Sequence, residues 1–360
     1  MGAPSINITF VQKAKSTVQR GERGTIAMII RGTKQATYTL LPGDDLPSDL
    51  TADAQEQITL AFKGYQTAPK KILVYITAET EYDEALEYFA SQKFDWLVAP
   101  SAETDAQTSA IVTWLTEQRG TYGRTYKAVL PNTAADSEAV VNVANGYTYA
   151  GGTLTAEKAC ARVAGIICGT TTYRSCTYAP ITEATDCDHM TTAELDAAVD
   201  AGKLVFMWDG EKVKICRGVT SFTTTTDTKG DAFKKIRLVE FMDMIKDDIR
   251  QTAQDSFIGK YPNDYDSKCV LITAINDYFN ELAREKAITS GSCEIDTSAV
   301  ASYIKTNKDG KFYVDDELVS VEDATDQQIK KADTGSGVYL LSRVTLLDAL
   351  EDIFLENYIV

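Results

Sequence analysis

The stretch Thr25–Ile30, TIAMII, and three later runs of the same kind decide the fold. Each run is short, apolar and rich in β-branched or aromatic residues, which predicts strands at Thr25–Ile30 (TIAMII), Ile72–Ile76 (ILVYI), Trp96–Ala99 (WLVA) and Tyr126–Leu130 (YKAVL). Between them, apolar residues recur at helical spacing over residues 53–62, 82–90 and 104–118. Strands that alternate with helices predict an α/β sheet domain.

The composition and periodicity of the sequence change after this domain. Thr155–Cys168 is rich in Ala and Gly and apolar on several faces, which predicts a buried helix in close backbone contact, ending at Gly169. From about Thr170 onward a hairpin is predicted over Leu204–Cys216, with its turn at Asp209-Gly210. Two long amphipathic helices follow, over 240–256 and 267–284, so the expected fold class is α/β (mixed α+β).

Composition excludes several function classes. The 360 residues carry a net charge of −16, which argues against nucleic acid or anionic lipid as a partner, because both need clustered Lys and Arg. No apolar run approaches the roughly 20 residues of a membrane helix, and the first residues do not resemble a secretion signal. Seven cysteines without a CxxC pair predict reduced thiols rather than a disulfide framework.

Few sequence motifs indicate catalysis or the binding of a metal or cofactor. The single histidine, His189, lies in the sequence Asp186-Cys187-Asp188-His189, which is compatible with a divalent metal but is better interpreted as a polar loop, since no second cluster supplies further ligands. No phosphate-binding GxxxxGK[ST] or GxGxxG sequence and no GxSxG elbow occurs. We therefore expect no catalytic residue, no metal and no cofactor, and a protein that is not an enzyme.

Both chain ends predict strands that lack a local partner. Ile6, Ile8 and Phe10 alternate with polar residues, and the polar stretch Gln12–Arg23 that follows offers no hairpin partner. At the other end, the apolar residues of Gly337–Val360 predict a strand buried on both faces, which requires a surface to dock against. The expected dock is another subunit.

The two ends also differ in charge. Residues 1–23 hold four basic side chains against one acidic one, and residues 344–360 hold four acidic side chains and no basic one. Opposite charges favour contact between arms of neighbouring subunits by strand addition. The candidate assembly residues are Ile6, Ile8, Phe10, Lys13, Lys15, Arg20, Asp348, Glu351, Asp352, Ile353, Leu355 and Tyr358. Gln12–Gly24 is the predicted hinge of the N-terminal arm.

The sequence resembles the sheath proteins of contractile tails, found in myophages, defective prophages and phage-tail-like bacteriocins of Gram-positive bacteria. The resemblance runs nearly from end to end. It depends on PSINITF with RGERGTIAMII, ARVAGIICGT, MTTAELDAAVDAGKLVFMWDGEKVKICRGVTSFTTTT with GDAFKKIRLVEFMDMIKDDI, IGKYPNDYDSKCVLITAINDYF, and ADTGSGVYLLSRVTLLDALEDIFL.

This resemblance implies an outer α/β domain and a discontinuous inner α+β domain with extended terminal strand arms. Mapped onto the chain, it predicts an N-terminal arm over 1–22, an outer domain over 23–169, an inner domain over 170–342 and a C-terminal strand arm over 343–360. It also implies hexameric rings, stacked helically around a tail tube and joined by strand exchange, whose contraction drives the tube through a cell envelope.

The partners implied are further copies of the chain, the tail tube protein, and baseplate and tail terminator proteins, with no nucleic acid and no membrane. The implied location is a virion tail or phage-tail-like particle assembled in the bacterial host cytoplasm. Two other interpretations stay open from sequence: an α/β enzyme or ligand-binding protein with an unrecognised site, and a non-contractile tube or filament subunit. Infectious phage and bacteriocin particle are not distinguished.

Overall fold

The computed structural model describes Val18, Gly21 and residues 23–171, 174–314 and 317–358. The chain divides into two compact units. The large unit holds the described residues of 22–246 together with 347–358, and the small unit holds Val18, Gly21 and the described residues of 247–346.

The described strands are β1 Thr25–Arg31, β2 Ala36–Leu40, β3 Lys71–Thr77, β4 Trp96–Val98, β5 Lys127–Pro131, β6 Val140–Val143, β7 Tyr147–Tyr149, β8 Gly152–Leu154, β9 Ala184–Cys187, β10 Lys203–Leu204, β11 Phe206–Trp208, β12 Val213–Ile215, β13 Ile288–Ile295, β14 Lys311–Val314, β15 Glu317–Ser320 and β16 Leu340–Leu346. The described helices are α1 Ala52–Phe62, α2 Asp83–Ala90, α3 Thr108–Gly120, α4 Ala156–Cys168, α5 Thr192–Asp200, α6 Ile236–Thr252, α7 Tyr265–Arg284, α8 Thr297–Asn307 and α9 Asp326–Lys331. A 3₁₀ turn, Asp231–Lys234, precedes α6, and a π-helical turn, Ala253–Phe257, follows it.

A seven-stranded sheet forms the centre of the large unit. Its strand order is β10-β6-β5-β4-β1-β3-β2, and all neighbours are parallel except β2, which runs antiparallel to β3. In β1, Ile26 and Met28 face one apolar core while Ala27 and Ile29 face another, so both sides of the sheet are covered. The predicted α/β fold is confirmed.

Helix α4 packs closely against α1, and this is the kind of close backbone contact that the sequence predicts for Thr155–Cys168. The Thr155 side chain accepts a hydrogen bond from the Lys158 backbone at the start of α4. A Cβ atom added at Gly165 would lie 2.1 Å from the backbone oxygen of Ala61 in α1. Glycine is therefore required at this crossing because any side chain would push the two helices apart.

Residues 170–246 pack with the sheet rather than away from it. β10 pairs with β6 at the sheet edge, and Phe206, Val213 and Ile215 of the β11–β12 hairpin are buried in the same core as β1. The compact units therefore separate between Lys246 and Asp247, whereas the sequence placed a domain boundary near Thr170. The change in sequence pattern near Thr170 therefore coincides with new secondary structure that belongs to the same core.

The small unit is built around α7 and the antiparallel pair β13–β16. Phe279 of α7 lies against Gly291 of β13, where an added Cβ atom would approach the ring to 2.7 Å. A second apolar cluster joins α8, α9 and the β14–β15 hairpin through Ile304, Phe312 and Ile329. The two predicted amphipathic helices correspond to α6 and α7, within a few residues at each end.

A buried ion cluster holds the first half of α6 in the large unit. Lys127 of β5 is 1% exposed and its Nζ lies 3.0 Å from Asp243 Oδ2 and 3.1 Å from Glu240 Oε1. Arg119 donates two hydrogen bonds to Asp243, each 3.0 Å long. Burial lowers the Lys127 pKa, but Asp243 and Glu240 more than offset this and hold the pKa above its ordinary value. Burial likewise raises the Asp243 pKa, but Lys127 and Arg119 hold it below its ordinary value.

The α1–α4 crossing yields a stability prediction. Gly165→Ala should lower the free energy of unfolding by about 1–3 kcal/mol, because overpacking against a backbone atom outweighs the roughly 1 kcal/mol gain in helix propensity. Gly120→Ala at the end of α3 is the matched control, since no atom lies within 4 Å of the added Cβ. Urea unfolding followed by circular dichroism measures both; equal midpoints would contradict the packing argument.

The ion cluster yields a second prediction. Lys127→Met should cost about 3–5 kcal/mol, because it removes one partner of a buried pair, whereas Lys158→Met, in the exposed pair with Asp53, should cost less than about 1 kcal/mol. Because the folded Asp243 pKa is depressed, its contribution is complete above about pH 5 and is lost as pH falls below the ordinary value of 3.8. Thermal unfolding between neutral and acidic pH measures this, and Asp243→Asn should flatten the profile.

Candidate assembly surface

Residues 347–358, here called the C-terminal segment, leave β16 without forming a helix or strand in the described chain. Their root is fixed to the large unit by Glu351, whose side chain is only 6% exposed. The hydroxyl groups of Thr177 and Ser175 donate to Glu351 Oε1 at 2.7 and 3.2 Å, and Lys235 Nζ lies 3.2 Å from Oε2. This carboxylate is a fully satisfied anchor.

Further polar contacts extend the anchor on both sides of Glu351. Asp348 forms an ion pair with Lys235, Asp352 forms one with Arg217, and the Leu347 backbone oxygen accepts a 3.0 Å hydrogen bond from Arg237. Partial burial lowers the Lys235 pKa, but the bonds to Asp348 and Glu351 outweigh it and raise the pKa above its ordinary value. The root of the segment is therefore held by charge as well as by hydrogen bonds.

The segment also carries apolar side chains that are uncovered. Its large apolar side chains are 78–96% exposed, namely Leu350, Ile353, Phe354, Leu355 and Tyr358. Scattered apolar residues are normal on a protein surface, but five exposed large ones within residues 350–358 mark an interaction site. The segment thus combines a polar anchor with exposed apolar side chains, here called its apolar face.

The predicted assembly residues fall into three sets. Asp348, Glu351 and Asp352 belong to the anchor on their own subunit, while Ile353, Leu355 and Tyr358 belong to the exposed face. The N-terminal candidates lie outside the described residues: Ile6, Ile8, Phe10, Lys13, Lys15 and Arg20. Whether any of them joins subunits stays a prediction.

Sequence reasoning missed the basic half of the anchor. Arg217 and Lys235 lie in the sequences KICRG and FKKIR, more than 110 residues before their partners. The signal that was missed is charge complementarity between Arg217 and Lys235 and the three carboxylates after β16. Phe354 and Leu350, also absent from the candidate set, are the most exposed apolar residues of the segment.

Only the end of the predicted N-terminal hinge is described. Gly21 donates a 2.9 Å hydrogen bond to Asp248 Oδ1 within the small unit. Gly24, in the large unit, has φ +87° and donates to Asp95 Oδ2 at 2.8 Å, and its oxygen accepts from the Lys70 backbone. Gly24 is a fixed part of the fold, and the predicted hinge otherwise lies on residues outside the description apart from Val18 and Arg23.

His189 has a local structural role. Its Nε2 lies 2.8 Å from Asp186 Oδ1, and its ring stacks on Trp208 with the centroids 5.9 Å apart. Among the described residues, no group of three or more His, Cys, Asp and Glu side chains is arranged to hold a metal. Nor does the described chain contain a helix that is long and apolar enough to cross a membrane.

Comparison with known proteins places these features in a family. Residues 77–221 match the family model of the phage tail sheath protein central domain, and residues 228–359 match that of the phage tail sheath C-terminal domain. A tail sheath protein of Clostridium phage phiCD119 is 35% identical over 359 residues, which cover 98% of each chain.

Solved structures share the fold. A sheath tail protein from Desulfitobacterium hafniense superposes with a TM-score of 0.68 at 22% identity, over 81% of this chain and 94% of that one. The helical sheath of the anti-feeding prophage in its contracted state superposes with a TM-score of 0.69 at 12% identity, over 99% of both chains. These relatives are structural proteins, so the expectation of a non-enzyme is confirmed. The chain belongs to the phage tail sheath family and is a structural protein of that family.

Proposed function

We propose that this chain forms hexameric rings that stack helically around a tail tube, and that contraction of the resulting sheath drives the tube through a target cell envelope. The observation that carries the proposal is the C-terminal segment, whose apolar face is uncovered although its root is firmly anchored. A surface of this kind needs a partner, and a sheath offers many identical ones. The anti-feeding prophage sheath, known in a contracted state, supports the same architecture here.

Strand exchange between terminal arms is the proposed means of joining subunits. Residues 350–358 form neither helix nor strand and have no backbone partner strand among the described residues, and the sequence of Ser5–Val11 has strand-like alternation. Backbone hydrogen bonds each contribute about 1 kcal/mol net, so several per arm are needed for a stable link. The predicted arms are long enough to supply them.

Contraction needs no nucleotide in this proposal. Subunit contacts that are better satisfied in the contracted state supply the free energy, and a kinetic barrier preserves the extended state. Partners are the tail tube, baseplate and terminator proteins, met during assembly in the bacterial host cytoplasm. The arms keep neighbouring subunits connected while the subunits move.

Deletion of the exposed segment tests the proposal. A chain that ends at Ala349 should keep its fold but lose sedimentable tubes, because it loses all five exposed apolar side chains. Tyr122→Ser, which removes another exposed aromatic side chain, is the control. Ultracentrifugation and negative-stain microscopy measure assembly. Tubes of normal length from the shortened chain would refute a role of the segment in joining subunits.

The anchor can be tested in dilute, unassembled protein. Glu351→Ala removes the acceptor of two hydroxyl groups and one ammonium group, so a fluorophore at the C-terminus should tumble faster and its anisotropy should fall. Glu356→Ala, at an exposed position of the same segment, should leave the anisotropy unchanged. Added salt should narrow the difference between wild type and Glu351→Ala, because the ion pairs at the root are partly exposed. Identical anisotropy in both variants would show that the anchor does not order the segment.

A further inference from the structure

The point at which the N-terminal residues leave the small unit is fixed. The Gly21 backbone N–H donates a hydrogen bond to Asp248 Oδ1 at 2.9 Å, and the Tyr278 hydroxyl donates one to Asp248 Oδ2 at 2.7 Å. Asp248 is 1% exposed and Val18 is 3% exposed, so both are buried. The residues that precede Val18 therefore start from a defined position beside α6.

An apolar groove of about 890 Å³ lies on the small unit and begins close to this position. Its lining starts at Ile249, one residue after the anchoring aspartate, and includes the end of the π-helical turn and the chain just before β16. Ile258, Tyr261 and Val338 in its wall are 69%, 42% and 43% exposed. Large apolar side chains exposed around one groove indicate a site for an apolar occupant.

The groove also contains a polar atom that lacks a partner. Asn263 lines the groove and donates to the oxygens of Gly335 and Gly337, at 2.7 and 2.9 Å. Its Oδ1 is buried and accepts no hydrogen bond. A buried acceptor without a donor is costly and indicates a missing partner group. A peptide segment carries both the apolar side chains and the N–H groups that such a groove requires.

Residues 5–11 of the same chain have the matching chemistry. Ile6, Ile8 and Phe10 form one apolar row, and the ten residues between Phe10 and Gly21 can span up to about 35 Å. Residues 1–20 carry three basic side chains and no acidic one, whereas residues 247–346 carry 18 acidic and 11 basic side chains. This opposite charge attracts the N-terminal residues to the small unit.

We propose that residues 5–11 lie in the groove of their own small unit in the free subunit, and that this contact withholds the N-terminal arm from other copies. The inference rests on the proposed function, because it concerns the same arm before assembly. Fixing the chain at Gly21 gives the segment an effective concentration on the order of millimolar at its own groove. In dilute protein its own segment therefore outcompetes that of a second copy.

Withholding the arm controls when subunits join. If docking in the groove is favoured about tenfold over release, the apparent affinity of the arm for other copies falls about tenfold. Dilute subunits then stay apart, and assembly begins where many copies are held close together. The groove thus acts as an autoinhibitory site that a neighbouring copy must overcome.

Hydrogen exchange of dilute full-length protein tests the docking. The triple variant Ile6→Ser, Ile8→Ser and Phe10→Ser removes the apolar row and leaves every described residue unchanged. Peptides that cover residues 257–263 and 335–340 should then exchange about tenfold faster than in the wild type, because the groove is no longer covered. Exchange at the wild-type rate would overturn the inference.

The matched control changes the other face of the same segment. Asn7→Ser with Thr9→Ser leaves the apolar row intact, so the groove peptides should exchange at the wild-type rate. The protection should also be independent of protein concentration, because the segment belongs to the same chain. Protection that grows with concentration would assign the groove to a second copy and overturn the proposal.

Sedimentation of tubes tests the autoinhibition. Ile258→Asp places a charge in the exposed groove wall and releases the arm, so the concentration needed for tubes should fall about tenfold. Tyr313→Asp is the control, because Tyr313 is 71% exposed on β14 of the same unit and does not line the groove. A higher concentration for Ile258→Asp would show that the groove serves within the tube and would overturn its inhibitory role.

The outcomes separate two kinds of failure. If wild-type protein never forms tubes although the groove is protected in dilute protein, the proposed function fails and the docking stands. If tubes form while the triple variant leaves the exchange of the groove unchanged, the docking is wrong and the proposed function stands.

Discussion

The subunit depends on one constraint in the C-terminal segment: polar contacts fix its root, while its large apolar side chains stay exposed. Burying one large apolar side chain is worth about 1.5–3 kcal/mol, so five uncovered ones form a substantial driving force for association. Much of the entropic cost of ordering is met in advance, because Glu351 and its partners hold the root in place. The free subunit is therefore a stable fold that carries an uncovered apolar surface.

The large unit determines where this segment leaves the subunit. Its parallel sheet carries Lys127, the Lys127–Asp243 pair holds the first half of α6, and Lys235 directly precedes that helix. Lys235 in turn binds Asp348 and Glu351. The backbone of α6 thus links the buried ion cluster on the sheet to the ion pairs at the root of the segment. Loss of the Lys127–Asp243 pair would change the position of α6 and thereby disturb the ion pairs of Lys235.

The sequence predicts the parts of this structure that depend on neighbours along the chain. Uninterrupted apolar runs such as Ile72–Ile76 are sufficient to identify strands covered on both faces, and the Ala- and Gly-rich pattern around Gly165 identifies a tightly packed helix. The exposed apolar residues at the C-terminal end were also recognisable as a surface in need of a partner. Periodicity carries this information because it reports burial directly.

Pairings between distant residues were not predictable in the same way. The pairing of β10 with β6 at the sheet edge was not foreseen, because β10 is only two residues long and so short a strand has no periodicity. The acidic residues after β16 were expected to meet a basic arm, but charge alone does not say which cation is near, and Arg217 and Lys235 of the same subunit bind them. The two hydrogen bonds between the Asn276 carboxamide and the Cys293 backbone in β13 have no sequence signature at all.

Charge explains why the anchor matters to a subunit with a net charge of −16. Copies of such a chain repel one another, so association is favoured where the local charge is lowest. The basic groups of the anchor neutralise Asp348, Glu351 and Asp352 within the subunit, which leaves Glu356 as the only charge on the described exposed part. The anchor therefore does two things with one set of contacts: it fixes the segment, and it makes the surface that we propose to join copies nearly neutral. Contacts between copies can then form and be exchanged without any change in the charges that hold each subunit together.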